Sequence, residues 1–131
     1  MSIPGGRAEL VHFYIMKSDN TLKDAKLLAN NNSWDSCVNR LYYACFYIVY
    51  ALIVKKIGKR TKTHSGIKAL FNEHFIKEGI LSKQVAVFYG KLMSKRALGD
   101  YDDFQVLTAG DVIPLIPQTE AFINTIKSLI V

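Results

Sequence analysis

Cysteine, proline, histidine and tryptophan are all scarce in this 131-residue chain, with two, three, three and one copies. Two cysteines cannot build the disulfide framework of a small secreted domain. Both of them, Cys37 and Cys45, fall inside one apolar stretch. No segment alternates apolar and polar residues long enough to read as a strand. Internal repeats and low-complexity tracts are missing too. The longest unbroken apolar run, LYYACFYIVYALIV at residues 41–54, falls short of the roughly 20 apolar residues that cross a bilayer as a helix. A helix apolar on every side is instead expected at the centre of a core. The N-terminus, MSIPGGRAELVHF, has no basic segment followed by an apolar one, so no signal peptide is expected and the location is read as cytoplasmic, with no membrane partner.

What is present is apolar and basic. Half of the residues are hydrophobic, and 17 lysines and arginines face 11 acidic residues, for a formal charge of +6. That composition excludes intrinsic disorder. The length suits one domain over residues 1–131, with residues 1–6 (Pro4, Gly5 and Gly6 among them) as a flexible lead-in. So generous an apolar fraction suggests a face covered by a second subunit. The positive charge allows an anionic partner without choosing one.

Apolar spacing predicts five helices. The first runs over residues 7–30 and is broken by Asn30, Asn31 and Asn32. Ser33 is expected to cap the second, which carries Trp34, Cys37, Val38, Leu41, Tyr42, Cys45, Phe46 and Val49 and closes at Gly58. Thr63 is expected to cap a third that stops at Gly79, and Ser82 opens a fourth that fades near Gly99. The last begins at Thr108 or Asp111, where Pro114 fits a first turn and Pro117 fits less well. The expected fold is all-α, an up-and-down four-helix bundle with a fifth helix.

Common catalytic signatures are missing. There is no P-loop, no dinucleotide fingerprint and no nucleophile elbow. Cys37 and Cys45 lie eight apart on the core helix, and His12, His64 and His74 are spaced so that no two share a helical face, so no metal or other cofactor is expected. Two places remain. One is the junction KRTKTHSG at residues 59–66, where Arg60, Lys62, Thr63, His64 and Ser65 meet a helix start suited to an anion. Its plainer reading is a solvated loop with Thr63 as a cap. The other is KLMSKRALGDYDDF at residues 91–104, where Arg96 and Asp100 are four apart and Tyr101 follows. An isolated surface ion pair would be functionally silent. Alternatively Arg96 forks onto a phosphate, with Asp100 orienting it or serving as a base.

Three stretches resemble one family. SCVNRLYYACFY at residues 36–47 resembles the S-x-x-N-R-x-Y-Y-A-x-F-Y run of HEPN domains. TKTHSGIKALF at residues 61–71 is similar to the K-T-H-S-G-x-x-x-L-F element of one bacterial and archaeal branch, and RALGDYD at residues 96–102 is similar to that branch's R-x-x-x-D-Y-D segment. The resemblance spans about residues 8–127. It implies a helical bundle that forms a homodimer, with a polar cleft where equivalent helices meet. It also implies RNA or nucleotide as ligand, and membership of a toxin–antitoxin pair with a nucleotidyltransferase. Many HEPN proteins are metal-independent ribonucleases whose arginine is followed four to six residues later by a histidine. Here Tyr101, Asp102 and Asp103 stand in that region, so the imidazole would have to come from His64 on the third helix. Other members of the family are noncatalytic binding or scaffold domains. Arg40, Arg96, Asp100 and Tyr101 fit nucleotide binding equally well, and Tyr101 resembles a tyrosine that the partner enzyme modifies in toxin members.

Overall fold

The computed structural model describes residues 6–59, 61, 63–101 and 106–131. Arg60, Lys62, Asp102 and Asp103, singled out above, lie outside the described residues, as does most of the expected lead-in. The described residues form helices joined by short turns, with no strand among them. The helices are α1 (Arg7–Asn30), α2 (Trp34–Lys56), α3 (His64–Phe71), α4 (Lys83–Tyr101), a single turn α5 (Ala109–Val112) and α6 (Leu115–Ile130). A wider π-helical turn over Asn72–Ile76 extends α3.

The bundle is organised around α2. In the run 41–54 every residue is buried apart from Tyr43 and Tyr47, which are partly covered. By length and composition α2 could cross a membrane, but 78% of its apolar window is buried inside this fold. Most of this run is thus covered by the chain's own helices. Antiparallel neighbours flank α2. On α1, Arg7 donates from Nε to the Val54 carbonyl at 2.8 Å and Ser18 donates from Oγ to the Ala44 carbonyl at 2.7 Å. On α4, Asp100 reaches Asn39 while Tyr89 stacks with Tyr42. Lys26–Glu120 and Lys127–Asp19 ion pairs of 3.0 and 2.8 Å set α6 antiparallel to α1. Thus α1, α2, α4 and α6 alternate in direction, and α3 packs across them as the fifth helix.

The boundaries show where local chemistry decides. Asn32 takes up a left-handed φ of 59° after α1, a conformation asparagine tolerates better than most residues. Ser33 does occupy the start of α2, but its hydroxyl caps no backbone N–H there; it accepts from Asn31 Nδ2 at 3.0 Å instead. Thr63 caps α3 as expected. The last predicted helix is two. Thr108 and Asp111 form a reciprocal capping box at α5, and the chain restarts at Leu115. Pro117 consequently falls in the first turn of α6, where a missing N–H costs nothing.

Because α2 is enclosed on all sides, a large-to-small change at its centre leaves a cavity no neighbour can fill. Ile48→Ala is expected to cost about 2–5 kcal/mol in chemical denaturation followed by far-ultraviolet circular dichroism.

Candidate functional site

Helical spacing places the site. Asn39, Tyr42, Tyr43 and Phe46 recur at three and four residues on α2, so they share the face turned toward α4 and α3. On α4, Arg96 and Asp100 are one turn apart. Because α4 extends past Gly99 to Tyr101, Asp100 and Tyr101 are held on a helix rather than in a loop.

Arg96 is the hub. Its side chain is only 15% exposed, and its Nε stands 3.0 Å from Asp100 Oδ2. The Nε–H points off that line, so the pairing is one of charge rather than a directed hydrogen bond. Nη2 donates to the Tyr43 hydroxyl at 3.0 Å and to the Tyr101 hydroxyl at 3.2 Å. The guanidinium also lies over three rings, those of Tyr42, Tyr43 and Tyr101, at 5.3–5.4 Å. Asn39 Nδ2 donates to Asp100 Oδ2 at 2.9 Å, and its Oδ1 accepts from Arg40 Nε and Nη2 at 3.0 and 2.8 Å. The chain Arg40–Asn39–Asp100–Arg96 therefore links two cations through one amide and one carboxylate.

His64, the first residue of α3, comes to the same rings from another side. Its ring stacks on Phe46 at 4.4 Å and lies 5.5 Å from both Tyr42 and Tyr43. Nδ1 is 2.8 Å from the Tyr42 hydroxyl, and among the described residues nothing bonds to Nε2. Burial lowers its pKa below the ordinary 6.5, and the Arg96 cation lowers it further. Tyr42 is fully buried, and desolvation pushes its phenol up to about 12, so it keeps its proton.

The position of His64 depends on the turn before it. Thr63 Oγ1 accepts from the Gly66 amide at 3.1 Å. A Cβ at Gly66 would fall 2.5 Å from that same oxygen and 2.9 Å from Thr61 Oγ1, so only glycine lets the cap close. Thr63 is thereby engaged in capping, and Ser65 is exposed without a bond to the cluster. Arg40, Arg96, Asp100 and Tyr101 are brought together, and His64 joins them. Asn39, Tyr42, Tyr43 and Phe46 were not among the candidate site residues read from the sequence; their shared face on α2 was the available signal. Cys37 and Cys45 are buried, and desolvation raises both thiols, Cys37 to about 11. Among the described residues no three His, Cys, Asp or Glu side chains gather as metal ligands do.

Removing the neighbouring cation should release part of the pressure on His64. In Arg96→Gln, its NMR titration midpoint is expected to rise toward 6.5 yet stay below it, since burial remains. An unmoved midpoint would show that Arg96 does not act on the imidazole.

Comparison with known proteins places this arrangement. The chain is 36% identical over 124 residues to a UPF0332 protein of Thermotoga maritima, covering 95% of this chain and 93% of that one. It is 28% identical over 117 residues to the Methanocaldococcus jannaschii protein named "Putative toxin MJ0142", covering 89% of this chain and 79% of that one. A second protein of that archaeon with the same kind of name is 28% identical over 123 residues, 91% of this chain and 87% of the other. The HEPN domain profile matches residues 11–129, and the chain belongs to the HEPN domain family.

Proposed function

We propose that this protein is the RNA-acting toxin component of a two-protein pair with a nucleotidyltransferase, and that it cleaves RNA without a metal ion. The observation that carries the reading is the convergence of Arg96 and His64 on the Tyr42 and Tyr43 rings. It restores an arginine–imidazole pair although no histidine follows Arg96 in the sequence. The toxin names of two relatives support the biological setting.

The chemistry needs a base for the ribose 2′-hydroxyl and a cation for the charge that develops on phosphate. His64 fits the first role. With a proton on Nδ1 held at the Tyr42 oxygen, the Nε2 lone pair is free to accept the 2′-hydroxyl proton. The 2′-oxygen then bonds to phosphorus and the 5′-oxygen leaves, taking a proton from water, so the products end in a 2′,3′-cyclic phosphate and a 5′-hydroxyl. Arg96 fits the second role: its planar fork is aimed by Asp100, Tyr43 and Tyr101 before substrate arrives. Asp100, paired to Arg96 and accepting from Asn39, serves as its orienter.

A noncatalytic nucleotide-binding partner is the second reading. It is favoured by one observation, that the guanidinium already has a carboxylate and two hydroxyls around it.

Purified protein incubated with labelled single-stranded RNA in EDTA separates them. Cleavage to cyclic-phosphate ends is expected, reduced roughly 10²–10⁴-fold in His64→Ala and about a hundredfold or more in Arg96→Ala. Because the folded-state pKa of His64 is lowered, the neutral base persists into mild acid. The rate should therefore fall on the acid side only below 6.5. Intact RNA at high protein excess, together with nucleotide-dependent thermal stabilisation, would move the assignment to the noncatalytic reading.

A further inference from the structure

We propose that adjoining faces of α1 and α2 hold a base-stacking track for single-stranded RNA, leading away from Arg96 toward the N-terminal end of α1. The proposal rests on the RNA reading above. Its basis is a line of touching rings that starts at Tyr43, in the Arg96 cluster, and continues through rings that the cluster does not use. Tyr43 lies 5.8 Å from Tyr47, Tyr47 lies 5.8 Å from Tyr14, and Tyr14 meets the edge of Phe13 at 5.2 Å. Each step is one ring contact, so the line is continuous from the site to α1. Its far end opens to solvent, where Phe13 is 56% exposed.

Cations alternate with these rings. The Lys17 ammonium stands over three of them, 4.7 Å from Tyr47 and 5.7 Å from Phe13 and Tyr14. Arg40 lies over Tyr43 at 5.1 Å. Among the described residues no carboxylate forms an ion pair with Lys17 or Arg40; Arg40 is held by the neutral Asn39 amide, so no acidic side chain offsets either charge. Aromatic faces interleaved with unpaired cations are what a single strand needs, one for its bases and the other for its phosphates. A protein of charge +6 attracts such a polyanion over a distance. A second copy of the chain fits this face less well. A two-fold contact would bring Lys17 and Arg40, which no carboxylate neutralises among the described residues, onto the partner's copy of the same face.

The test uses the full chain and two fluorescent probes, a uridine dodecamer and a ribose-phosphate dodecamer of the same length without bases. Phe13→Ala removes an exposed ring, so its fold should survive. It is expected to weaken binding of the uridine dodecamer about tenfold and to leave the abasic probe unchanged, while Phe13→Trp keeps wild-type affinity. Lys17→Ala is expected to weaken both probes and to lower the slope of log affinity against log salt by about one. Equal losses on both probes in Phe13→Ala, or no loss on either, would overturn the track alone. Wild-type protein that binds neither probe would overturn the RNA reading with it. Sedimentation showing a wild-type dimer that Phe13→Ala splits would assign the face to a second copy and overturn the track.

Discussion

A helix that is apolar on every side has only one stable place, the centre, and α2 obeys that constraint over residues 41–54. The other elements follow from it. Helices α1, α4 and α6 each turn one side toward α2 and the other to solvent, and their antiparallel order follows from short connections. Even the polar contacts serve this burial. Arg7 closes the two carbonyls at the end of α2, Val54 and Lys55, which the helix itself leaves open. Ser18 meets the Ala44 carbonyl in the interior, so the hydroxyl it buries is not left unpaired.

The same helix fixes where polar side chains can gather. Before the terminal Lys55 and Lys56, polar groups on α2 are confined to its first turns, at Asp35, Ser36, Asn39 and Arg40, and to the cysteines and tyrosines that follow. Arg96 of α4 comes down on that end. A guanidinium at 15% exposure loses much of its hydration, and a lone buried charge would be strongly unfavourable. Asp100, two phenol hydroxyls and three ring faces offset that loss. The compensation has a directional consequence, because each partner restrains the fork to one orientation. It also has an electrostatic one: a fixed cation beside a half-buried imidazole favours the neutral ring, which is the form a base requires. Arg96 and His64 are thus complementary in protonation as well as near in space.

Much of the architecture was legible because its signals are periodic. The five apolar stripes, the cap at Thr63, the stop at Gly79 and the core position of residues 41–54 all follow from spacing and turn chemistry. What was not legible depended on competition between local and tertiary partners. Ser33 has the hydroxyl of a cap, but Asn31 takes it first. Gly99 looked like an end of α4, yet the helix runs on to Tyr101, whose hydroxyl is held by Arg96 from five residues back. The i, i+4 pair of Arg96 and Asp100 was visible; its burial was not, because only the packing of α4 on α2 distinguishes it from the many exposed pairs of that spacing. Asn39 and Tyr43 were visible as part of a motif, but their roles exist only once α4 lies opposite.

The position of the imidazole follows from the same packing. A histidine placed four to six residues after Arg96 would sit on α4 or in the segment beyond it, and its ring would be aimed by the register of that helix. Here the ring enters from α3, so its aim is set instead by the Thr63–Gly66 cap and by the Phe46 face on which it rests. Those constraints are at least as restrictive: Gly66 admits no side chain, and the Tyr42 hydroxyl fixes one ring nitrogen. The Arg96 cation and the His64 imidazole thereby meet on the same two rings although they lie on different helices far apart in the sequence.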